Sequence, residues 1–250
     1  MGVATRLKKP DWYCQSGFCF VLGLDFLMLF LYFLHKISID ESVKRRIHQH
    51  FYFEGWMMKE KSQDTPALLI IDMVKDNFNT SRNLPITPFA QKIIDPLNDL
   101  IGEFRKYTWP VVFSTDAFHR EDFIFKGRMS PHSLAGTQGA EVVDELDRHD
   151  DDFWLPKPRF SAFFNTGLED WLRERGVTLC AVGGISTHFC VLTTVMDAIC
   201  HDFKAVLLED CSAASSQPVH EQTLECYRNN PLYPLLKVMS SKELLSDLTS

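Results

Sequence analysis

From about residue 65 onward, short apolar runs alternate with segments whose apolar residues recur every three or four positions. Residues 67–72 (ALLIID) form an uninterrupted apolar run closed by an acid, the pattern of a strand buried on both faces. Across 88–107, Phe89, Ile93, Ile94, Leu97, Leu100, Ile101 and Phe104 fall at helical spacing. The run 110–115 (PVVFST) predicts the next strand, again followed by an acid, Asp116. Residues 117–138 predict a loop longer than a simple connector needs, then a short helix over 137–146 and a short strand over 153–155 leading to Lys157. The second half continues the alternation. Helices are predicted at 166–174, 189–201, 218–227 and from 241, and strands at 178–182, 204–209 and 235–239. This order predicts an α/β fold of three layers (α/β/α), with a six-stranded, mostly parallel sheet built from right-handed crossovers.

The first 56 residues do not share this pattern. Residues 18–34 (FCFVLGLDFLMLFLYFL) are almost wholly apolar, interrupted by Gly23 and Asp25, and just long enough for a minimal membrane span. Basic residues flank the run on both sides, so charge gives no orientation. No small-x-small site follows, which counts against a cleaved signal peptide. Two readings remain: an uncleaved signal anchor, or translation starting at Met57 or Met58 with 1–56 as upstream sequence. The chain is therefore divided into an N-terminal extension, 1–56, and a catalytic-type domain, 57–250. A cytoplasmic body is expected, tethered to a membrane if 18–34 is a genuine anchor.

Composition narrows the class. Hydrophobic residues are 45% and charged residues 24%, ample for a packed core. The net charge of −7, with Lys44-Arg45-Arg46 as the sole basic cluster, argues against a nucleic-acid partner. The seven cysteines are odd in number and contain no C-x-x-C, as expected of reduced thiols rather than a secreted disulfide framework.

In a parallel sheet, ligands bind beyond the carboxyl ends of the strands. Asp72, Asp116, Lys157 and the turn carrying Cys190 all fall there. Cys190 sits where a strand passes through two glycines into a helix, so helix N–H groups and the dipole are expected to favour its thiolate. The same N–H groups would stabilise an oxyanion. A carboxylate at Asp72 can take the thiol proton and later activate water, and an ammonium at Lys157 holds that carboxylate charged. Taken singly, each has a plainer role: a packed thiol, a strand-end cap, a surface lysine.

The segments LLIIDMVKDNF (68–78), PVVFSTDAFH (110–119), PHSLAGTQGAE (131–141), LPKPRFSAFF (155–164) and VGGISTHFCVLTTVMDA (182–198) resemble, in order, the isochorismatase-like cysteine hydrolase superfamily of nicotinamidases and N-carbamoyl amidases. That resemblance implies the isochorismatase-like, Rossmann-like fold, a triad of Asp72, Lys157 and Cys190, and an oxyanion hole from the N–H groups of Ser186 and Cys190. It also implies a non-proline cis peptide at 185–186, a small-molecule substrate and a homo-oligomer. The implied reaction is cleavage of an amide or ureido C–N bond through a Cys190 thioester. The rivals are an isochorismatase-type vinyl-ether hydrolysis, which needs no thiol nucleophile, and a non-catalytic binding module on the same fold.

Metal is where the sequence departs from nicotinamidases, which hold zinc through an Asp-x-His pair and a later His in a Trp-x-x-His turn. Asp116 and His132 match, but Phe118 stands at the middle ligand, His119 is one residue out of register, and Met129 replaces the Trp. No cofactor is therefore expected to be required, and zinc would need His119 to substitute. Phe78, Phe118, Met129 and Phe163 are expected to wall the pocket. Arg128 and Arg159 are candidates for meeting an anionic substrate.

Overall fold

In the computed structural model, residues 64–250 are described, so the readings placed on 1–56 lie outside the described residues. Six strands form one sheet: β1 (Pro66–Ile71), β2 (Val111–Asp116), β3 (Phe153–Lys157), β4 (Leu179–Ile185), β5 (Lys204–Ala213) and β6 (Leu236–Met239). Their spatial order is β3-β2-β1-β4-β5-β6, and every pairing is parallel. The chain steps outward from β1 through β2 to β3, then returns to place β4 against the other side of β1. The order reverses at the β1/β4 pair, and this switch point opens a crevice at the carboxyl ends of those two strands.

The two faces of the sheet bury different residue sets. Leu68 and Ile70 of β1 pack with Leu97, Leu100, Ile101 and Phe104 of α3 (Ile94–Lys106) and with Leu244 and Leu248 of α7 (Ser241–Thr249). Ala67, Leu69 and Ile71 point the other way, toward α4 (Leu168–Glu174), α5 (Leu192–Cys200) and α6 (Gln217–Arg228). The alternation along β1 is the period of two that a doubly covered strand requires. Every residue of β1, β2 and β4 is buried, so the three central strands set the crevice on a rigid base.

Several elements differ from the sequence-based expectation. The helix predicted over 88–107 is broken into α2 (Thr87–Ala90), a 3-10 turn and α3, with α1 (Lys75–Phe78) a single turn before them. Pro96 lies in the first turn of α3, where its missing N–H goes unneeded but an unbroken helix would have required it. The helix predicted over 137–146 shrinks to a 3-10 turn at Gln138–Ala140. Its backbone is claimed elsewhere: Glu141 O accepts from Lys75 N–H at 3.0 Å and Val143 N–H donates to Met73 O at 3.0 Å. Gly183 and Gly184 do not end β4, which runs on to Ile185. Gly184 has φ 112, and a Cβ there would overlap the backbone of Ile71, so glycine is what lets β4 lie against β1. Among the described residues no helix is long and apolar enough to cross a membrane.

Candidate active site

The acid at the end of β1 is held by its own backbone. Asp72 has φ 54, its N–H donates to Ser114 O at 2.9 Å, and its carbonyl accepts from Val74 N–H at 2.9 Å and Asn77 Nδ2 at 3.0 Å. These contacts turn the carboxylate into the crevice. There Oδ1 accepts the Asp116 N–H at 2.7 Å and Oδ2 accepts Lys157 Nζ at 2.9 Å. The β2–β3 register pairs Asp116 with Lys157, so the last residues of two adjacent strands deliver a carboxylate and an ammonium to one point. Lys157 Nζ donates to Asp72, to Asp116 Oδ1 and, at 3.2 Å, to the carbonyl of Arg159. All three ammonium protons are thereby satisfied in a side chain with no solvent exposure.

Cys190 enters from β4. The chain leaves Ile185 through a cis peptide to Ser186, then makes a π-helical turn, Thr187–Val191, before α5 begins. Cys190 is 7% exposed, and its sulfur faces the Asp72 and Asp116 carboxyl groups. Ligand atoms of Asp72, Asp116 and Cys190 all lie within 4.8 Å of one another. The expectation of a thiolate at a helix N-terminus is corrected here. Cys190 lies inside the π turn, ahead of α5, and burial followed by the Asp72 charge pushes its thiol well above the ordinary range, outweighing Lys157.

The charges around it follow the same logic. Burial and the Asp72 charge push the Asp116 carboxyl up to about 8, so at neutral pH it retains a proton. Burial opposes the charge on Lys157, but the facing Asp72 carboxylate and the hydrogen bond to Asp116 hold the ammonium above its ordinary value. A neutral Asp116 beside an Asp72–Lys157 pair leaves the site without net charge, which a dry interior favours over two carboxylates facing one ammonium.

A cavity of about 140 Å³ lies over these groups, lined by Asp72, Asp116, Ser186 and Cys190 and walled by Ile86, Phe118, Met129, Phe160, Ile185 and Phe189. Asn77 and His132 add polar atoms to its wall. Asn77, Ile86, Met129 and His132 also line a wider groove of about 600 Å³ that contains Arg82, Ser130 and Ser215. Arg82 is held there by Asp76 at 3.4 Å, itself fixed by the Ser133 N–H at 2.7 Å.

The structure thus brings Asp72, Lys157, Cys190 and Ser186 together, with Phe118 and Met129 in the wall. Two expected wall residues are elsewhere. Phe78 packs on the α3-side core, and Phe163 is buried against His201 and Phe203 in the opposite layer. Phe78 closes α1 facing the sheet, and Phe163 follows a loop whose direction no periodicity encodes. Arg128 is exposed and absent from the cavity, while Arg159 pairs with Asp122 at 3.3 Å. Asn77, Arg82, Ile86, Phe160 and Phe189 were not singled out by sequence. Phe189 alone carried a signal, its place beside Cys190.

The Asp72, Asp116 and Cys190 donor set is a grouping able to hold a metal ion. It is not the expected set, and both of its carboxyl groups already face a cation. Both carboxylates engage Lys157, so the ammonium already takes the cation's place. His132 lies between Phe118 and Phe125, with Nδ1 on the Ser130 carbonyl at 2.9 Å. His119 is exposed and contributes nothing to the cavity. The residues present do not fit a zinc site of three free ligands.

Comparison with known proteins agrees with this architecture. The family model "Isochorismatase domain" matches residues 66–241, and the chain belongs to the isochorismatase family of hydrolases. A ureidoacrylate amidohydrolase, RutB, of Klebsiella pneumoniae is 42% identical over 170 residues, covering 58% of this chain and 72% of that protein. The crystal structure of N-carbamoylsarcosine amidase from Thermoplasma acidophilum superposes with TM-score 0.60 at 31% identity, over 71% of this chain and 96% of that one. Pyrazinamidase of Pyrococcus horikoshii, described in complex with zinc, superposes with TM-score 0.61 at 28% identity, over 70% and 99% of the two chains.

Proposed function

We propose that the protein hydrolyses a C–N bond of a small amide or ureido compound through a thioester on Cys190. One observation carries this reading: the Asp72 carboxylate accepts the Lys157 ammonium at 2.9 Å and lies within 4.8 Å of the Cys190 sulfur, at the sheet's switch point. The relatives named for ureidoacrylate and N-carbamoylsarcosine support the bond type.

The steps follow from the groups present. As Cys190 Sγ bonds to the substrate carbonyl carbon, its proton passes to Asp72, so no free thiolate need persist in the buried site. The carbonyl oxygen gains negative charge and is met by the N–H groups of Ser186 and Cys190. One such donor is worth about 10²–10³ in rate. Collapse breaks the C–N bond, and the Asp72 proton leaves with the amine. Asp72 then takes a proton from water, the hydroxide attacks the thioester, and Sγ departs and is reprotonated. Lys157 remains an ammonium throughout and holds Asp72 in line. No metal takes part in these steps.

The apolar walls suit a compact amide or ureido head, and the groove beyond gives its remainder a path toward Arg82. An acidic tail is the complementary partner for that guanidinium. Purified protein is to be screened against nicotinamide, N-carbamoyl amino acids, ureido acids and isochorismate. Ammonia release from carbamoyl or ureido acids supports the proposal, whereas pyruvate release from isochorismate as the sole activity replaces it with vinyl-ether hydrolysis.

A further inference from the structure

Behind the turn that carries Ser186 and Cys190 lies a buried pair that the chemistry above does not use. Thr187 has no exposed surface, and its Oγ1 lies 2.9 Å from Nδ1 of His220, which is 8% exposed. Thr187 immediately follows Ser186 and opens the π turn that ends at Val191. The turn folds back on itself through the Ser186 carbonyl, which accepts from Phe189 N–H at 2.9 Å and Val191 N–H at 3.3 Å. These bonds fix the turn internally but do not fasten it to the rest of the molecule. The Thr187–His220 bond does.

His220 stands in the first turns of α6, where its N–H donates to Ser216 O at 3.2 Å and Ser216 caps the helix. The imidazole therefore ties α6 to the nucleophile turn. Burial holds its pKa below the ordinary value, which favours the neutral ring, and either tautomer can bond the Thr187 hydroxyl through Nδ1. A buried threonine–histidine bond whose sole role was packing could be replaced by apolar groups of the same shape at little cost. Its location behind the turn that carries the Ser186 and Cys190 N–H groups gives it a further consequence: as oxyanion donors those groups act only if aimed where the oxyanion will form.

We propose that His220 is a positioning residue, which through Thr187 sets the aim of the Ser186 and Cys190 N–H groups and so governs acyl transfer to Cys190. This rests on the thioester reading above.

The test compares two reactions of the same sulfur. 4-Nitrophenyl acetate acetylates a thiol through an oxyanion, releasing 4-nitrophenolate. Iodoacetamide alkylates it by displacement of iodide, with no oxyanion. Both rates are to be measured on the full chain and on Thr187→Val, Thr187→Ser, His220→Ala and His220→Asn, with Cys190 modification confirmed by peptide mass mapping. The proposal predicts that Thr187→Val and His220→Ala lower acetylation about tenfold or more while alkylation changes less than about twofold. Thr187→Ser keeps the hydroxyl and His220→Asn keeps an acceptor near Nδ1, so both regain most of the acetylation rate. Equal loss of both reactions in soluble Thr187→Val, or no loss of either, overturns the proposal. A wild-type chain that alkylates at Cys190 yet never acetylates there overturns the thioester reading itself, and the role of His220 with it.

Discussion

Replacing Lys157 by methionine removes the one cation of a buried cluster while keeping most of the side-chain volume. Its Nζ supplies bonds to Asp72 at 2.9 Å, to Asp116 and to the Arg159 carbonyl at 3.2 Å, with no solvent to take them over. Breaking a buried ion pair by deleting one partner costs about 3–5 kcal/mol. The orphaned Arg159 carbonyl adds about 1 kcal/mol. A loss near 5 kcal/mol at neutral pH lowers the melting temperature by about 10–20 °C for a domain of this size. The loss also has a signed pH dependence. Without the ammonium, the buried Asp116 carboxyl, already raised, holds its proton still more firmly folded than unfolded. The variant therefore loses stability as pH rises, and its deficit shrinks as pH falls toward the ordinary carboxylate range. Urea denaturation followed by tryptophan fluorescence, from about pH 5 to about pH 8, measures both. Adding Asp72→Asn to Lys157→Met should recover part of the loss. A deficit below about 1 kcal/mol at pH 7, unchanged across that range, would refute the assignment of Lys157 as the balancing charge.

Asp116 is raised to about 8, above its unfolded value, so its share of stability is present at low pH and lost as pH rises through about 8. Asp116→Asn, which imitates the neutral acid, should flatten the fall in melting temperature between about pH 6 and about pH 9. Gly184→Ala should yield insoluble or unfolded protein, read by far-UV circular dichroism, because the new Cβ overlaps the Ile71 backbone and φ 112 disfavours it. Arg82→Met should raise KM about tenfold for a carboxylate-bearing ureido substrate with kcat little changed, since Arg82 lies in the outer groove rather than beside Cys190.

What the sequence disclosed depended on how locally each feature is encoded. The strands were legible because 67–72, 110–115 and 204–209 are continuous apolar runs, and their ends located Asp72 and Asp116. The segment 137–146 misled because its helical spacing competes with long-range bonds: Lys75 and Met73 claim the backbone of Glu141 and Val143. Phe78 and Phe163 were assigned to the pocket on residue type, yet loops and one short turn direct them into opposite cores. Asn77 and Arg82 escaped notice for the complementary reason, being polar residues whose place on the cavity wall is fixed by tertiary contacts alone. The surroundings of Cys190 were legible only in part, because a dipole can be inferred from a strand–turn–helix pattern, whereas burial beside two carboxyls, which pushes the thiol up, cannot.

The central claim is that Cys190 carries the acyl group. Protein quenched with acid during turnover of an amide or ureido substrate should show, by intact mass and peptide mapping, one acyl group on Cys190. Cys190→Ala should show neither adduct nor turnover while melting within a few degrees of wild type. Turnover by Cys190→Ala at a rate near that of wild type, or an acyl group carried by another residue, would contradict the account.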